Sequence, residues 1–148
     1  GGCLATDKEI TNYLRHHSRS YIFTASITPA STAAALKAME IMQAEPERQE
    51  HLWEITNYAL EGFRNMGCEI GNTSTPIIPL YIRDNFKTFA ITRDLQNEGI
   101  FVNPVVSPAV APHDTLIRFS LMATHTKDQV TIALEKIQKV FRAHNLIP

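Results

Sequence analysis

The sequence predicts an α/β domain in which helices cover one sheet. Segments with a helical apolar period alternate along the chain with short runs of strand-forming residues, and the connections between them are short. The chain has 148 residues, of which 44% are hydrophobic and 20% are charged. That length and composition are enough for a soluble domain with a core of its own.

The first part of the chain predicts two helices with a strand between them. Thr6 and Glu9 stand at capping-box spacing, which predicts a helix that Thr6 caps. The apolar run Tyr21-Ile22-Phe23 predicts a strand. A second helix is expected over residues 29–42, because Thr28 can cap it and proline fits a first helical position.

The middle of the chain contains the longest predicted helix, Glu47 to Met66. Its apolar residues recur at helical spacing and form one stripe: Leu52, Ile55, Ala59, Phe63 and Met66. Gly67 is expected to end this helix in a left-handed conformation. Residues 77–82 predict a strand, and Pro79 favours a place for it at the edge of the sheet.

The last part of the chain predicts two helices and two strands. Asp84 or Asn85 should cap a short helix that ends at Gly99, and residues 100–102 and 116–122 predict strands. Three prolines predict an irregular loop over residues 103–112. Thr126 begins a second capping box, and the helix after it has one apolar face: Val130, Ala133, Leu134, Ile137 and Phe141.

Composition argues against several classes of function. The net charge of −1 gives no reason to expect nucleic-acid binding, and no apolar run is long enough to span a bilayer. No metal site is expected, because neighbouring side chains such as His16 and His17 diverge on a helix. The two cysteines, Cys3 and Cys68, are expected to be buried hydrophobic residues. A cytoplasmic location is expected.

Arg118 is the main candidate for substrate binding. Strand alternation places Ile117 and Phe119 on one face and Arg118 with Ser120 on the other. An arginine in so apolar a strand needs an anionic partner, and its planar fork suits a carboxylate. The residues alone leave open whether that carboxylate belongs to a substrate or to an internal Asp or Glu.

The hydroxyl residues before Pro29 form a candidate phosphate site. Thr24, Ser26 and Thr28 follow an apolar run and precede a helix, where free backbone amides favour anions. The same pattern is typical of a strand that leads into an ordinary capped helix, and this alternative also stays open.

The segment from His17 to Ala30 and the Ile-Arg-Phe-Ser stretch around Arg118 are similar to segments of the α-oxoamine synthases, and the resemblance extends from Gly1 to the C-terminus. These fold-type I enzymes use pyridoxal 5′-phosphate (PLP) to condense an amino acid with an acyl-CoA, with loss of carbon dioxide. The resemblance implies that Thr24 and Ala25 bind the cofactor phosphate of the neighbouring subunit, so that a homodimer shares its active sites. Ala25 replaces a polar residue of several relatives and offers only its amide.

The resemblance also implies substrate contacts. Arg118 would bind the substrate carboxylate, and Ser107 would lie in the family's mobile, proline-rich loop near the substrate; a plain surface crossover is the alternative for that loop. Likeness to the sphingolipid branch of the family implies L-serine and palmitoyl-CoA. Alanine with pimeloyl-CoA and glycine with acetyl-CoA stay open.

The resemblance finally implies a division of the chain. Residues 1–28 would be the tail end of the large cofactor domain, 29–45 a connecting helix, and 46–148 the small C-terminal domain. The Schiff-base lysine of the family would lie upstream of Gly1, so no catalytic residue is expected in this chain, and it should be inactive alone. A non-catalytic dimerising or regulatory module is the alternative from another class.

Overall fold

The computed structural model describes residues 4–148, and its helices and strands fall into two units. One unit ends at Ala44 and the other spans Glu45–Pro148. Gly1, Gly2 and Cys3 lie outside the described residues, and so do the predictions that depend on them. Each unit is described by itself.

Residues 4–44 of the first unit contain three helices: α1 (Lys8–His17), α2 (Arg19–Ile22) and α3 (Pro29–Ala44). None of the side chains of residues 4–44 is buried. The predicted capping box at Thr6 is wrong, because α1 begins one residue later, after Asp7, and Asp7 makes no side-chain capping bond. The predicted helix after Thr28 is confirmed, since the Ser31 amide donates to the Thr28 hydroxyl at 3.3 Å.

The predicted strand at residues 21–23 is also wrong. The Ser18 carbonyl accepts hydrogen bonds from the amides of Tyr21 and Ile22, at 3.1 and 3.0 Å, and these local bonds make a helical turn. A strand needs a neighbouring strand to satisfy its backbone, and none lies among the described residues of this unit. Three apolar residues in a row do not distinguish a strand from a short helix.

The second unit contains three helices, three strands and one 3₁₀ turn. In chain order they are α4 (Glu47–Asn65), β1 (Ile77–Tyr81), α5 (Asn85–Asn97), β2 (Asn103–Val105), a 3₁₀ helix (Pro112–Asp114), β3 (Leu116–Ser120) and α6 (Lys127–Ala143). The sheet order is β1-β3-β2, and both pairs are antiparallel. Helices packed on one sheet confirm the predicted α/β fold class.

One face of this sheet packs on the helices. Ile78 and Leu80 of β1 and Ile117 of β3 are fully buried. The ring of Phe119 meets that of Phe63 from α4 edge to face, with centroids 5.1 Å apart. Burial of each such side chain contributes about 1.5–3 kcal/mol, so this face fixes the position of β3.

The predicted apolar faces of α4 and α6 are confirmed. All five residues named for α6 are buried, and those named for α4 are buried or packed against the core. Thr126 and Gln129 form the predicted capping box, with bonds of 2.9 and 3.2 Å. Gly67 follows α4 with a φ of 79°, as expected for a left-handed helix end.

The predicted strand at residues 100–102 lies three residues later in the structure. Gly99 ends α5 with a φ of 81°, and the Ile100 amide still bonds to the Leu95 carbonyl at 2.8 Å. The chain therefore uses residues 100–102 to reach the sheet. β2 then forms within the segment predicted to be an irregular loop, because an edge strand tolerates Pro104.

Candidate functional site

Arg118 lies at the middle of the central strand β3. It is paired in register with Pro79 of β1 and Asn103 of β2. Its residue is exposed, whereas Ile117 and Phe119 on either side are buried, so the predicted alternation is confirmed. No ion pair formed by residues 4–148 includes Arg118. The internal partner that the sequence left open is therefore not found in the described chain, and the guanidinium can donate hydrogen bonds to a carboxylate from elsewhere.

A cavity of about 430 Å³ lies beside Arg118. The side chains on its wall come from β2, β3, α6 and the segments next to them, and they include Phe101, Asn103, Arg118, Met122, His125 and Gln129. None of the lining residues is acidic, and Arg118 is the one arginine or lysine among them. An apolar wall with a single fixed positive charge favours a ligand that carries one carboxylate.

His125 is a member of this site that sequence reasoning did not single out. Its Nδ1 accepts a hydrogen bond from the Met122 amide at 3.2 Å, so the neutral ring carries its proton on Nε2. Its carbonyl accepts a bond from Nε2 of His51 at 2.9 Å, across 74 residues of sequence. These two bonds fix the turn between β3 and α6, and only the second needs the folded chain.

Ser107 lies in the loop between β2 and the 3₁₀ helix. It is partly buried, follows Val106 directly, and precedes a cis peptide bond to Pro108. A turn follows, in which the Ala109 amide donates to the Val106 carbonyl at 2.9 Å. Ser107 is not among the residues that line the cavity beside Arg118. The structure thus places both residues in one unit without bringing Ser107 to that wall.

Thr24 and Ala25 lie in the first unit, in the connection between α2 and α3. Both are exposed. Thr24 lines the concave surface of an open cavity, which has a volume of about 670 Å³, together with Arg15, Ser18 and Ser20. A guanidinium and three hydroxyls on one surface are donors that suit a phosphate.

Within residues 4–148, no three His, Cys, Asp or Glu side chains come together in a way that could hold a metal ion. The helices in the same part of the chain are all too short or too polar to cross a bilayer.

Comparison with known proteins gives consistent matches over nearly the whole chain. Residues 1–137 match the family described as aminotransferase class I and II. The chain is 59% identical to a serine palmitoyltransferase of Bacteroides ovatus over 99% of its own length and 37% of the relative's. It is 36% identical to an 8-amino-7-oxononanoate synthase of Thermosipho melanesiensis, with coverage of 95% and 36%.

A solved structure of a serine palmitoyltransferase (SPT) with a PLP internal aldimine has the same fold. The TM-score is 0.80 at 27% sequence identity, and the match covers 95% of this chain and 36% of that one. The chain thus spans little more than a third of the length of the relatives it matches.

Proposed function

The chain belongs to the aminotransferase class I and II family, and from this premise we propose that it is the C-terminal portion of a PLP-dependent acyltransferase. The full-length enzyme would condense an amino acid with an acyl-CoA, release carbon dioxide and yield an amino ketone. We propose L-serine and palmitoyl-CoA as its substrates. The 59% identity to a serine palmitoyltransferase supports that pair over the others in the family.

The observation that carries this proposal is the guanidinium of Arg118, which makes no ion pair within residues 4–148 and lies on a cavity wall without acidic residues. Two parallel N–H groups of an arginine can donate to both oxygens of a carboxylate. Such a grip would bind the amino acid by its carboxylate and orient its α-carbon. Orientation of this kind lowers the barrier, because it removes the entropy cost of alignment before the reaction.

The residues of the first unit fit the phosphate of PLP. The Thr24 hydroxyl makes no hydrogen bond with residues 4–148, and neither does the backbone amide of Ala25. Both are therefore available as donors to a phosphate oxygen, with Arg15 on the same concave surface as Thr24. When bound, PLP would supply an electron sink for the carbanion formed at the substrate α-carbon.

We also propose that the enzyme is a homodimer with shared active sites, in which Thr24 and Ala25 of one subunit serve the site of the other. The apolar side chains of the first unit support this. Tyr13, Tyr21, Phe23, Ile27 and Leu36 are all more than half exposed. A surface of that kind is typical of an interface with another body of protein.

The domain boundaries predicted from the sequence stay part of this proposal. Residues 1–28 would complete the large cofactor domain, 29–45 would form the connecting helix, and 46–148 would form the small domain. Ser107 would contact substrate when its loop moves.

The decisive experiment measures CoA release by the full-length protein with serine, alanine or glycine, each combined with palmitoyl-, pimeloyl- or acetyl-CoA. Release with serine and palmitoyl-CoA alone is the expected result. Release with alanine and pimeloyl-CoA alone would favour the alternative, an 8-amino-7-oxononanoate synthase, to which the 36% identity points. Glycine with acetyl-CoA would indicate a 2-amino-3-ketobutyrate CoA ligase, and no release with any pair would contradict the proposed activity.

A further inference from the structure

Arg83 has an unusual backbone conformation for its residue type. It follows β1 with a φ of 69°, and Asn145 is the one other residue in the described chain that has a positive φ and is not glycine. A Cβ atom makes this left-handed region unfavourable, which is why glycine or asparagine is common there. An arginine that remains in it points to a use for its side chain.

The guanidinium of Arg83 connects three parts of the second unit. Its Nε and Nη2 donate to the two carboxylate oxygens of Glu69, with the Nε bond at 3.2 Å. Its Nη1 donates to Asp114 Oδ1 at 2.6 Å and to the His113 carbonyl at 3.1 Å. The plane also lies over the Tyr81 ring, 4.5 Å from its centre. This set of contacts is called the Arg83 cluster below.

Backbone hydrogen bonds also attach residues 113–115 to the end of β1. The amides of Ile82 and Arg83 both donate to the carbonyl of Thr115, each at 3.0 Å, and Thr115 is completely buried. Residues 113–115 therefore have two independent attachments to the end of β1. These residues stand between the loop that contains Ser107 and the strand that contains Arg118.

The charged groups of the cluster are one guanidinium and two carboxylates. The hydrogen bonds from Arg83 hold the pKa of the Glu69 carboxyl below its usual value, so Glu69 stays ionised at neutral pH. All three ionic side chains are about half exposed to solvent, and exposed ion pairs add little to overall stability. The contribution of the cluster must then lie in where it holds residues 113–115.

We propose that Arg83 is a positioning residue for the substrate site. Through His113 and Asp114 it fixes the C-terminal end of the loop over residues 106–111, while β2 fixes the other end. The C-terminal end of the loop is thereby held in a defined place relative to Arg118 on β3. This inference rests on the proposed function, in which the loop and Arg118 both contact substrate.

The experiment compares three variants of the full-length protein. Arg83→Gly removes the guanidinium and relieves the backbone, Arg83→Ala removes the guanidinium and keeps the unfavourable conformation, and Arg83→Lys keeps a charge without the planar fork. Arg93→Ala is the matched control, because Arg93 is an exposed arginine whose one ionic partner is its neighbour Asp94.

Two readouts are measured. The first is hydrogen exchange at the amides of Ala109 and Asp114, which bond to the carbonyls of Val106 and Ala111 at 2.9 and 2.8 Å. The second is the KM of the amino acid against kcat. For Arg83→Gly and Arg83→Ala we expect amide exchange about tenfold faster than in wild type and a KM about tenfold higher. The kcat should stay within about twofold of wild type, since misplacement of binding groups weakens substrate alignment. Lys should lie between wild type and Ala.

The outcomes separate this inference from the proposed function. Unchanged exchange in both the Gly and the Ala variant would overturn it, and so would faster exchange with an unchanged KM. Wild-type exchange and KM in Arg83→Gly, combined with defects in Arg83→Ala, would assign the effect to the backbone conformation. That result would also overturn the inference. If wild type turns over no substrate pair, the proposed function fails, and exchange at the two amides alone decides whether Arg83 fixes the loop.

Discussion

Arg118 and Asn103 stand directly opposite each other on β3 and β2, and both line the same cavity. Side chains of directly paired residues on one face of a sheet lie within about 5.5 Å of each other at Cβ. A ligand held by Arg118 therefore meets the amide of Asn103 as its neighbour. This pair gives the first two predictions.

Under the proposed function, Arg118→Lys should weaken binding of the amino acid to the full-length protein. Lysine keeps the charge but loses the two parallel hydrogen bonds, which costs on the order of 1.5–3 kcal/mol for a charged pair. The dissociation constant should rise by at least about tenfold in a spectroscopic titration. Arg64→Lys, on the exposed side of α4, is the control and should change nothing. An unchanged constant in the Arg118 variant would remove Arg118 from the site.

Asn103→Asp should also weaken binding of the amino acid, through competition. The new carboxylate would pair with Arg118 across the strands, and such pairs are worth about 0.2–1 kcal/mol. The dissociation constant should rise up to about fivefold at low salt and recover as salt screens the pair. Asn103→Ala removes the amide without adding charge and should show no such salt dependence. Equal changes of the dissociation constant in Asn103→Asp and Asn103→Ala would contradict competition for Arg118.

Gly62→Ala should destabilise the chain although alanine favours helices. A Cβ at Gly62 of α4 would lie 2.6 Å from Cδ1 of Leu134 on α6, so the leucine must move. Crowding of this kind costs about 1–3 kcal/mol, against a gain of about 1 kcal/mol in helix propensity. Urea unfolding should show a net loss of about 1 kcal/mol. The sign should reverse in a Leu134→Ala background, and the same loss in both backgrounds would exclude this contact as the cause.

Cys68 should react very slowly with thiol reagents in the folded chain. Desolvation by burial raises the pKa of its thiol to about 11, so only about a thousandth is thiolate at pH 8. Alkylation of a Cys3→Ser variant should be roughly a hundredfold slower than in urea, and the folded rate should keep rising with pH up to about 11. A rate that levels off near pH 8.5 would show that the thiol is not desolvated.

Prediction from short-range chemistry succeeded for α6 and for the face of β3 that presents Arg118, but it failed for the capping box at Thr6. The helix α6 follows from the capping box of Thr126 and Gln129 and from its apolar period, and the facing of Arg118 follows from strand alternation. The prediction of a strand at residues 21–23 was wrong, because a strand forms only where a neighbouring strand can pair with it. β2 was displaced because the position of a strand within the sheet depends on what it pairs with.

The candidate site was only partly predictable for the same reason. Arg118 is visible as a charge within an apolar strand. His125 joins it through a local turn and through a bond from His51, 74 residues away, and Asn103 joins it through the register between two strands. Neither the bond from His51 nor the register is local in sequence. The Arg83 cluster likewise connects residues 14 and 31 positions apart, and only a folded chain shows that Arg83 occupies a position suited to glycine.

The two prolines in the sheet have a further consequence, for solubility. Pro79 and Pro104 lie in the two outer strands, β1 and β2, on opposite sides of β3. A proline offers no N–H to an incoming strand, so each border of the sheet has a gap in its row of donors. A stray β-segment from another molecule would find no continuous template on either side. The small sheet is thereby protected against edge-to-edge pairing with strands of other molecules during synthesis of the chain.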